Sequence, residues 1–307
     1  MFREVFRKVA RAVPLLGNAL TSRDSAIDAL NSIRSQVGWP PGHYYSPIPS
    51  SADLEGVRSP NNTTCDAPAG IDLNLETQKN WLDRVKFWYP SLPFFENPTE
   101  NLRYYLKNPA FVYSDGIVLY SMMRELQPKR IVEVGSGFSS AVMLDTSDLF
   151  FNGEIELTFI EPYPDERLTP LLKSSDASKC RILRENIQAV KDCPWETLRK
   201  NDILFIDSSH VSKYRSDVNQ LFFEVLPTLA SGVVVHVHDV FPGFEYPLEW
   251  LKRGWYWNEA YLLRAFLMFN KEFEILLWPS LMLDSNTGAE MPLCLKNTGS
   301  SFWMRRR

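Results

Sequence analysis

Two stretches of the chain bring together residue types that can move a proton or hold an ion: Asp207-Ser208-Ser209-His210 and His236-Val237-His238-Asp239. An imidazole titrates near neutral pH, so His210 or His238 can serve as a general base. Carboxylate and imidazole together also suit a divalent cation, which makes Asp207, His238 and Asp239 an alternative set of metal ligands. A third stretch, Glu133-Val134-Gly135-Ser136-Gly137-Phe138-Ser139, offers different chemistry. Glycines at the turn after a strand let the backbone pass close to a ligand, and a following helix presents unpaired amides.

For these groups to meet, each stretch must sit at the end of a strand. Arg130 to Val134 reads as a short buried strand, followed by a helix from about Ser139 to Leu149. Ile155 to Ile160, Arg181 to Leu183, Ile203 to Asp207 and Gly232 to Val237 are the next four strands. Helices are expected near Glu166 to Lys173, between Tyr214 and Leu229, and from Trp257 to Phe269. Phe273 to Leu277 and Phe302 to Arg305 complete the set as a hairpin-like pair at the sheet edge. The expected fold class is α/β, Rossmann-like and doubly wound: a mostly parallel seven-stranded sheet with an N-terminal helical and loop cap. The chain changes character near residue 115, dividing it into a cap over 1–115 and a core over 116–307. In the cap, Leu75 to Tyr89 reads as a helix and Gly38 to Pro60 as an ordered loop. Alternation along strand five is expected to send His236 and His238 in different directions. His238, nearer the strand end, is then the one that faces a ligand, while His236 lies inside an apolar run and reads as packing.

Two nucleotide readings compete for the glycine loop. The dinucleotide fingerprint GxGxxG/A fails at its sixth position, Ser140, and Glu133 precedes the first glycine where that pattern asks for no acid. An NAD-dependent oxidoreductase is therefore disfavoured. The ExGxGxS form of residues 133–139 instead resembles the first motif of class I S-adenosylmethionine-dependent methyltransferases. That resemblance implies S-adenosylmethionine as cofactor, with Gly135, Ser136, Gly137 and Ser139 around its methionyl part and Glu133 toward its amino group. It implies Glu161 on the ribose hydroxyls, and Glu185, Asn186 and Ile187 beside the adenine. Asp207, ending the fourth strand, is shared between the cofactor and metal sets.

More narrowly, Gly42-His43-Tyr44-Tyr45-Ser46-Pro47 and Trp257-Asn258-Glu259-x-Tyr261-Leu262-Leu263, with the glycine loop, resemble a bacterial branch of small-molecule methyltransferases over roughly residues 38–305. The implied reaction is methyl transfer to a small-molecule acceptor, an oxygen such as a sugar or secondary-metabolite hydroxyl, with catalytic candidates His210, His238 and Asp239. Catechol-type relatives place a divalent cation such as Mg at the corresponding strand ends. Their Asp-Asn pair is absent here, because Val240 follows Asp239. Tyr113, Ser114 and Asp115 can touch cofactor or acceptor, His43 to Tyr45 can fold over the site, and Trp250, Trp255, Tyr256 and Trp257 can line an acceptor pocket. Glu259 is a weaker candidate.

The 307 residues carry a formal charge of −4, which gives no global footprint for nucleic acid. Cys65, Cys180, Cys193 and Cys294 are scattered without a CxxC pair, and the sequons at Asn61 and Asn62 are short enough to arise by chance. A cytoplasmic protein is expected. Phe2, Val5, Phe6, Val9 and Val13 alternate with Arg3, Arg7, Lys8 and Arg11, an amphipathic helix able to touch a membrane or partner. A competing function of another class is a non-catalytic methyltransferase-like module that binds a partner through its first 115 residues.

Overall fold

The computed structural model describes residues 25, 27–28, 38–55, 68–286 and 288–307. The N-terminal amphipathic segment, both sequons and Cys65 lie outside the described residues. Two compact units divide at Val57 and Arg58. In the first, residues 38–50 form turns ahead of the short helix Ser51–Glu55. His43 stacks on Trp39 with ring centroids 4.3 Å apart, and on Tyr44 at 4.2 Å.

Short runs of β-branched and aromatic residues build the second unit's sheet: β1 (Arg130–Val134), β2 (Glu156–Ile160), β3 (Cys180–Leu183), β4 (Ile203–Ile206), β5 (Val234–Val237), β6 (Phe273–Leu277) and β7 (Phe302–Arg306). Their order is β3-β2-β1-β4-β5-β7-β6, parallel as far as β5. The expected late pair is at the edge. There β7 inserts between β5 and β6 and runs antiparallel to both. The order reverses between β1 and β4, the place where doubly wound sheets open a crevice.

Alternation along each strand feeds two cores. Ile131, Phe159, Ile203 and Phe205 face one, covered by helices α1 (Leu75–Trp88), α2 (Ser114–Leu126) and α3 (Phe138–Phe150). Val132, Val134, Leu204, Ile206 and Val237 face the other, under α4 (Asp217–Gln220) and α5 (Glu259–Leu267). Residues 71–113 thus share their packing with the sheet: Trp81, Leu82 and Val85 of α1 are buried in the first core.

Two expected helices differ. The segment after β2 gives one turn, Pro164–Arg167, and then 3₁₀ turns at Thr169–Leu171 and Ser174–Ser178. Pro170 has no N–H to continue the ladder and crowds the preceding turn. The helix expected from Tyr214 starts instead at Asp217, where the Ser216 hydroxyl caps the Asn219 amide at 3.2 Å. It then widens to a π turn over Leu221–Val225 before ending in a 3₁₀ turn that contains Pro227.

A strap between α1 and α2 is held by one arginine. The Arg103 guanidinium, buried, donates to Asp145 on α3 at 2.6 Å, to Asp148 at 3.0 Å and to Asp176 at 2.8 Å through Nε. Farther along, the Asn108 side chain bonds both the carbonyl and the amide of Phe111 at 2.7 Å. The strap therefore fixes Pro109, Ala110 and Phe111 over the ends of the central strands. Among the described residues no helix is long and apolar enough to cross a membrane.

Removing Arg103 strands buried carboxylates, whereas the ion pair of Arg181 with Asp192 is exposed on both sides. Urea unfolding of Arg103→Leu should show a loss of about 3–5 kcal/mol. Arg181→Ala should lose less than about 1 kcal/mol. Equal losses would contradict the anchoring role of Arg103.

Candidate functional site

The hydrogen-bond ladder continues one residue past the ends of the parallel strands. Glu161 donates its amide to Leu183, Gly135 to Ile160, Asp207 to Val134 and His238 to Ile206, at 2.9–3.0 Å. Four sequence candidates consequently stand in one row across the carboxyl ends of β2, β1, β4 and β5. Gly135 is the tight point of that row. It has φ +82°, and a Cβ there would lie 1.8 Å from the Asp207 carbonyl oxygen. No side chain fits between these two loops.

A cavity of about 1110 Å³ opens above the row. Gly135, Ser136, Gly137, Ser139, Glu161, Asn186, Ile187 and Asp207 all line it, as do Pro109, Ala110 and Phe111 of the strap. Its size exceeds the usual range for one small ligand, leaving room for a cofactor and an acceptor. Two features mark the wall as shaped for a ligand. A Cβ on Gly137 would meet nothing nearer than Arg167 at 3.8 Å, so internal packing does not demand that glycine. The buried Ser208 hydroxyl finds no hydrogen-bond partner among the described residues. Glu161 is already oriented, accepting from the amides of Ser136 at 3.1 Å and Tyr163 at 2.8 Å. Glu185 does not line the cavity, and Arg167, Lys213 and Arg215 on its rim carried no signal in the sequence.

Glu133 sits on the α3 face of β1 and is fully buried behind the loop rather than on the cavity wall. It accepts hydrogen bonds from the hydroxyls of Ser139 at 2.5 Å and of Ser140, whose oxygen in turn accepts from the Gly137 amide at 3.1 Å. Burial pushes its carboxyl up to about 8, against the hydroxyls that lower it. In this arrangement Glu133 braces the loop onto the first turn of α3.

Beyond Asp207 the row ends in a cluster of two imidazoles and four carboxylates. His210 Nε2 lies 3.3 Å from Asp207 and 3.4 Å from Asp239, while its Nδ1 is 2.8 Å from Glu259. His238 Nδ1 lies 3.5 Å from Asp207 and 3.4 Å from Asp239, and its Nε2 is 3.6 Å from Asp115. Burial opposes charge throughout the cluster; mutual attraction prevails at Asp207, Asp239, His210 and His238, whereas at Glu259 burial prevails and raises the carboxyl above its ordinary range. The imidazoles hold Asp207 and Asp239 below the ordinary carboxylate range. Despite burial, Asp207 and Glu259 push His210 up to about 10, and Asp239 and Asp207 raise His238. Ligand atoms of Asp207, His238 and Asp239 all lie within 4.8 Å of one another. The oxygen and nitrogen donors of these three residues are a set that suits a divalent cation.

The backbone contributes to the cluster. His210 and Asp239 both have φ +58°, a left-handed conformation that costs non-glycine residues on the order of 1–3 kcal/mol. The His210 carbonyl accepts the amides of Asn258 and Glu259, and Asp239 accepts the Ser300 hydroxyl at 2.8 Å.

The expected divergence of His236 and His238 is corrected. Residues two apart on a strand share a face, and their rings lie 5.7 Å apart at 30°. Depth separates them. His236 is buried within β5, stacked on Phe205 at 3.7 Å, and burial drives its pKa well below the imidazole value. Asp115, one of several residues noted before the core, binds the amides of Ser300 and Ser301 at 3.0 Å and faces His238. The Ser300 contribution was missed, since it comes from a loop 185 residues away from Asp115. Trp250, Trp255 and Trp257 pack on one another, and Trp257 meets the His210 ring at 4.5 Å.

Residues 132–240 match the family model for a methyltransferase domain. An uncharacterized protein of Archaeoglobus fulgidus is 34% identical over 184 residues, covering 56% of this chain and 80% of that protein. Among solved structures, the fold is similar to S-adenosylhomocysteine-bound methyltransferase PaMTH1 of Podospora anserina. That likeness has 16% identity and a TM-score of 0.42, over 76% of this chain and 93% of that one. It is also similar to CmcI without ligand, at 16% identity and a TM-score of 0.39, over 65% and 73%. Both structural likenesses are remote. The methyltransferase-domain match runs from the glycine loop on β1 to the imidazole and carboxylate ending β5, and the chain belongs to the class I S-adenosylmethionine-dependent methyltransferase family.

Proposed function

We propose that the chain moves the methyl group of S-adenosylmethionine to an oxygen of a small-molecule acceptor, a hydroxyl of a sugar or secondary metabolite. The observation that carries this reading is the double duty of Asp207. Its backbone closes against Gly135 in the glycine loop, and its side chain belongs to the buried cluster. A cofactor cradle and a group of proton- and cation-binding residues are thereby joined within one residue.

In this reading Glu161 accepts the two ribose hydroxyls, a task for which a carboxylate has enough lone pairs. Asn186 and Ile187 flank the adenine, and Gly135 to Ser139 approach the methionyl chain. Glu133 serves through the loop it braces. Pro109, Ala110 and Phe111 wall the acceptor's end of the cavity. Methyl transfer is an in-line displacement, so alignment supplies much of the acceleration and removal of the hydroxyl proton the rest.

Asp207, His238 and Asp239 would hold a divalent cation such as Mg, which when bound lowers the pKa of a coordinated hydroxyl. Direct general-base action by either imidazole is disfavoured, and His238 could ligate a cation only by giving up the proton that its Nδ1 shares with Asp207 and Asp239. Both nitrogens of His210 and of His238 already face carboxylates, so neither ring offers a free lone pair without turning. A binding-only module is disfavoured for an energetic reason. Burying this many charges costs stability, which a scaffold for partner binding has no need to bear.

Two titrations test the assignment. Glu161→Ala should weaken S-adenosylhomocysteine binding in calorimetry by about 10- to 100-fold, the loss expected for hydrogen bonds to a charged group. An unchanged affinity would count against the ribose role. Asp239→Asn should keep cofactor affinity within about threefold, since less than about 1 kcal/mol is at stake at a group away from the cavity wall. The parent protein should bind Mn²⁺ in electron paramagnetic resonance titrations, and the same variant should lose that binding. Equal Mn²⁺ binding by both proteins would overturn the cation assignment.

A further inference from the structure

We infer that Glu259 is a positioning residue, which holds the His210 ring so that its Nε2 spans Asp207 and Asp239. This deepens the reading of the cluster as the acceptor-activating group and rests on it. Three observations carry the inference. Glu259 Oε2 lies 2.8 Å from His210 Nδ1, the shortest contact that either imidazole of the cluster makes with a carboxylate. The Glu259 side chain is buried, and its other oxygen, Oε1, has no hydrogen-bond partner among the described residues. A carboxylate placed only to fill a core would leave a costly polar atom buried and unpaired with no compensating gain, so its orientation is set by the histidine. Finally, the amides of Asn258 and Glu259 both donate to the His210 carbonyl, at 3.0 and 3.2 Å. One helix start, that of α5, therefore fixes the backbone and the ring of the same residue.

The consequence is directional. With Nδ1–H donating to Glu259, only Nε2 remains to face the strand ends, where Asp207 and Asp239 stand 3.3 and 3.4 Å away. The ring becomes a clamp on the two central carboxylates rather than a free base, and outer partners of this kind fix ring orientation and ligand placement. Asp115 holds a similar place behind His238, but it also carries the amides of Ser300 and Ser301, so its loss would disturb that loop as well. Among the described residues the Glu259 side chain hydrogen-bonds His210 alone, which makes it the cleaner position to test.

The experiment is histidine-selective nitrogen NMR on the full chain, with His210 assigned through His210→Gln. In the parent protein a hydrogen-bonded Nδ1 proton of His210 should be visible and slow to exchange. Glu259→Leu should lose that signal while thermal unfolding stays cooperative, and Glu259→Gln, which keeps a carbonyl acceptor, should retain it with a changed shift. Mn²⁺ titration of the same proteins should show affinity lower by roughly 10- to 100-fold in Glu259→Leu, with partial recovery in Glu259→Gln. A His210 Nδ1 signal unchanged in Glu259→Leu would overturn the proposal, as would Mn²⁺ affinity equal to that of a parent protein that binds the ion. A parent protein that binds no Mn²⁺ but shows the Glu259-dependent signal would instead overturn the cation reading and leave the clamp standing.

Discussion

The approach of the Asp207 carbonyl to Gly135 governs the arrangement of everything that follows in this molecule. β1 and β4 are parallel neighbours in register, so the residues just past Val134 and Ile206 must leave the sheet side by side. With a Cβ position only 1.8 Å from that oxygen, the turn after β1 is available to glycine alone. Once the two loops pass this closely, the glycine turn runs along the crevice wall with its amides held by Ile160, Glu161 and Ser140, and the Asp207 side chain is directed onto the face shared by His238. The ladder then carries the order outward to Glu161 on one side and to His238 on the other. A ligand site and a charged cluster share one geometric cause.

The cluster itself is expensive to keep. Asp115, Asp239 and Glu259 are withdrawn from water around two imidazoles while Asp207 stays partly open to the cavity, and charges buried this way repay their desolvation only when closely paired. Pairing is achieved by recruiting elements far apart in sequence: α2, the ends of β4 and β5, the start of α5 and the loop before β7. Left-handed backbone at His210 and Asp239 adds to the cost. Strain and buried charge at the rim of a large cavity are the pattern of a site held ready for chemistry. Arg103 does the complementary work on the other side, tying the cavity-walling strap to α3 through carboxylates of its own.

Much of this was legible in the sequence because local rules produce it. Strand runs such as Ile203-Leu204-Phe205-Ile206 and the glycine spacing after Val134 specify elements and turn, and parallel strands leave their carboxyl ends together. Glu161, Asp207 and His238 could therefore be placed in one row of strand ends from chain order, and the first two line the cavity. The direction of His236 was misjudged, because a period of two returns both histidines of β5 to one face. Pairings across long sequence separations were invisible. Nothing near Ser300 announces that its hydroxyl will meet Asp239, and the anchoring of Arg103 by Asp145 and Asp176 depends on packing that no local pattern encodes. Glu133 was expected to help hold the cofactor's amino group, directly or through water; the hydroxyls of Ser139 and Ser140 hold its carboxylate under the loop.

The central claim is the class of cofactor that the glycine loop accepts, since the acceptor chemistry has meaning only if that holds. Titration calorimetry of the unmodified chain with S-adenosylhomocysteine and, separately, with NAD tests it most directly. The account predicts saturable binding of one S-adenosylhomocysteine per chain and no heat of binding with NAD. Saturable binding of NAD with none of S-adenosylhomocysteine would contradict it.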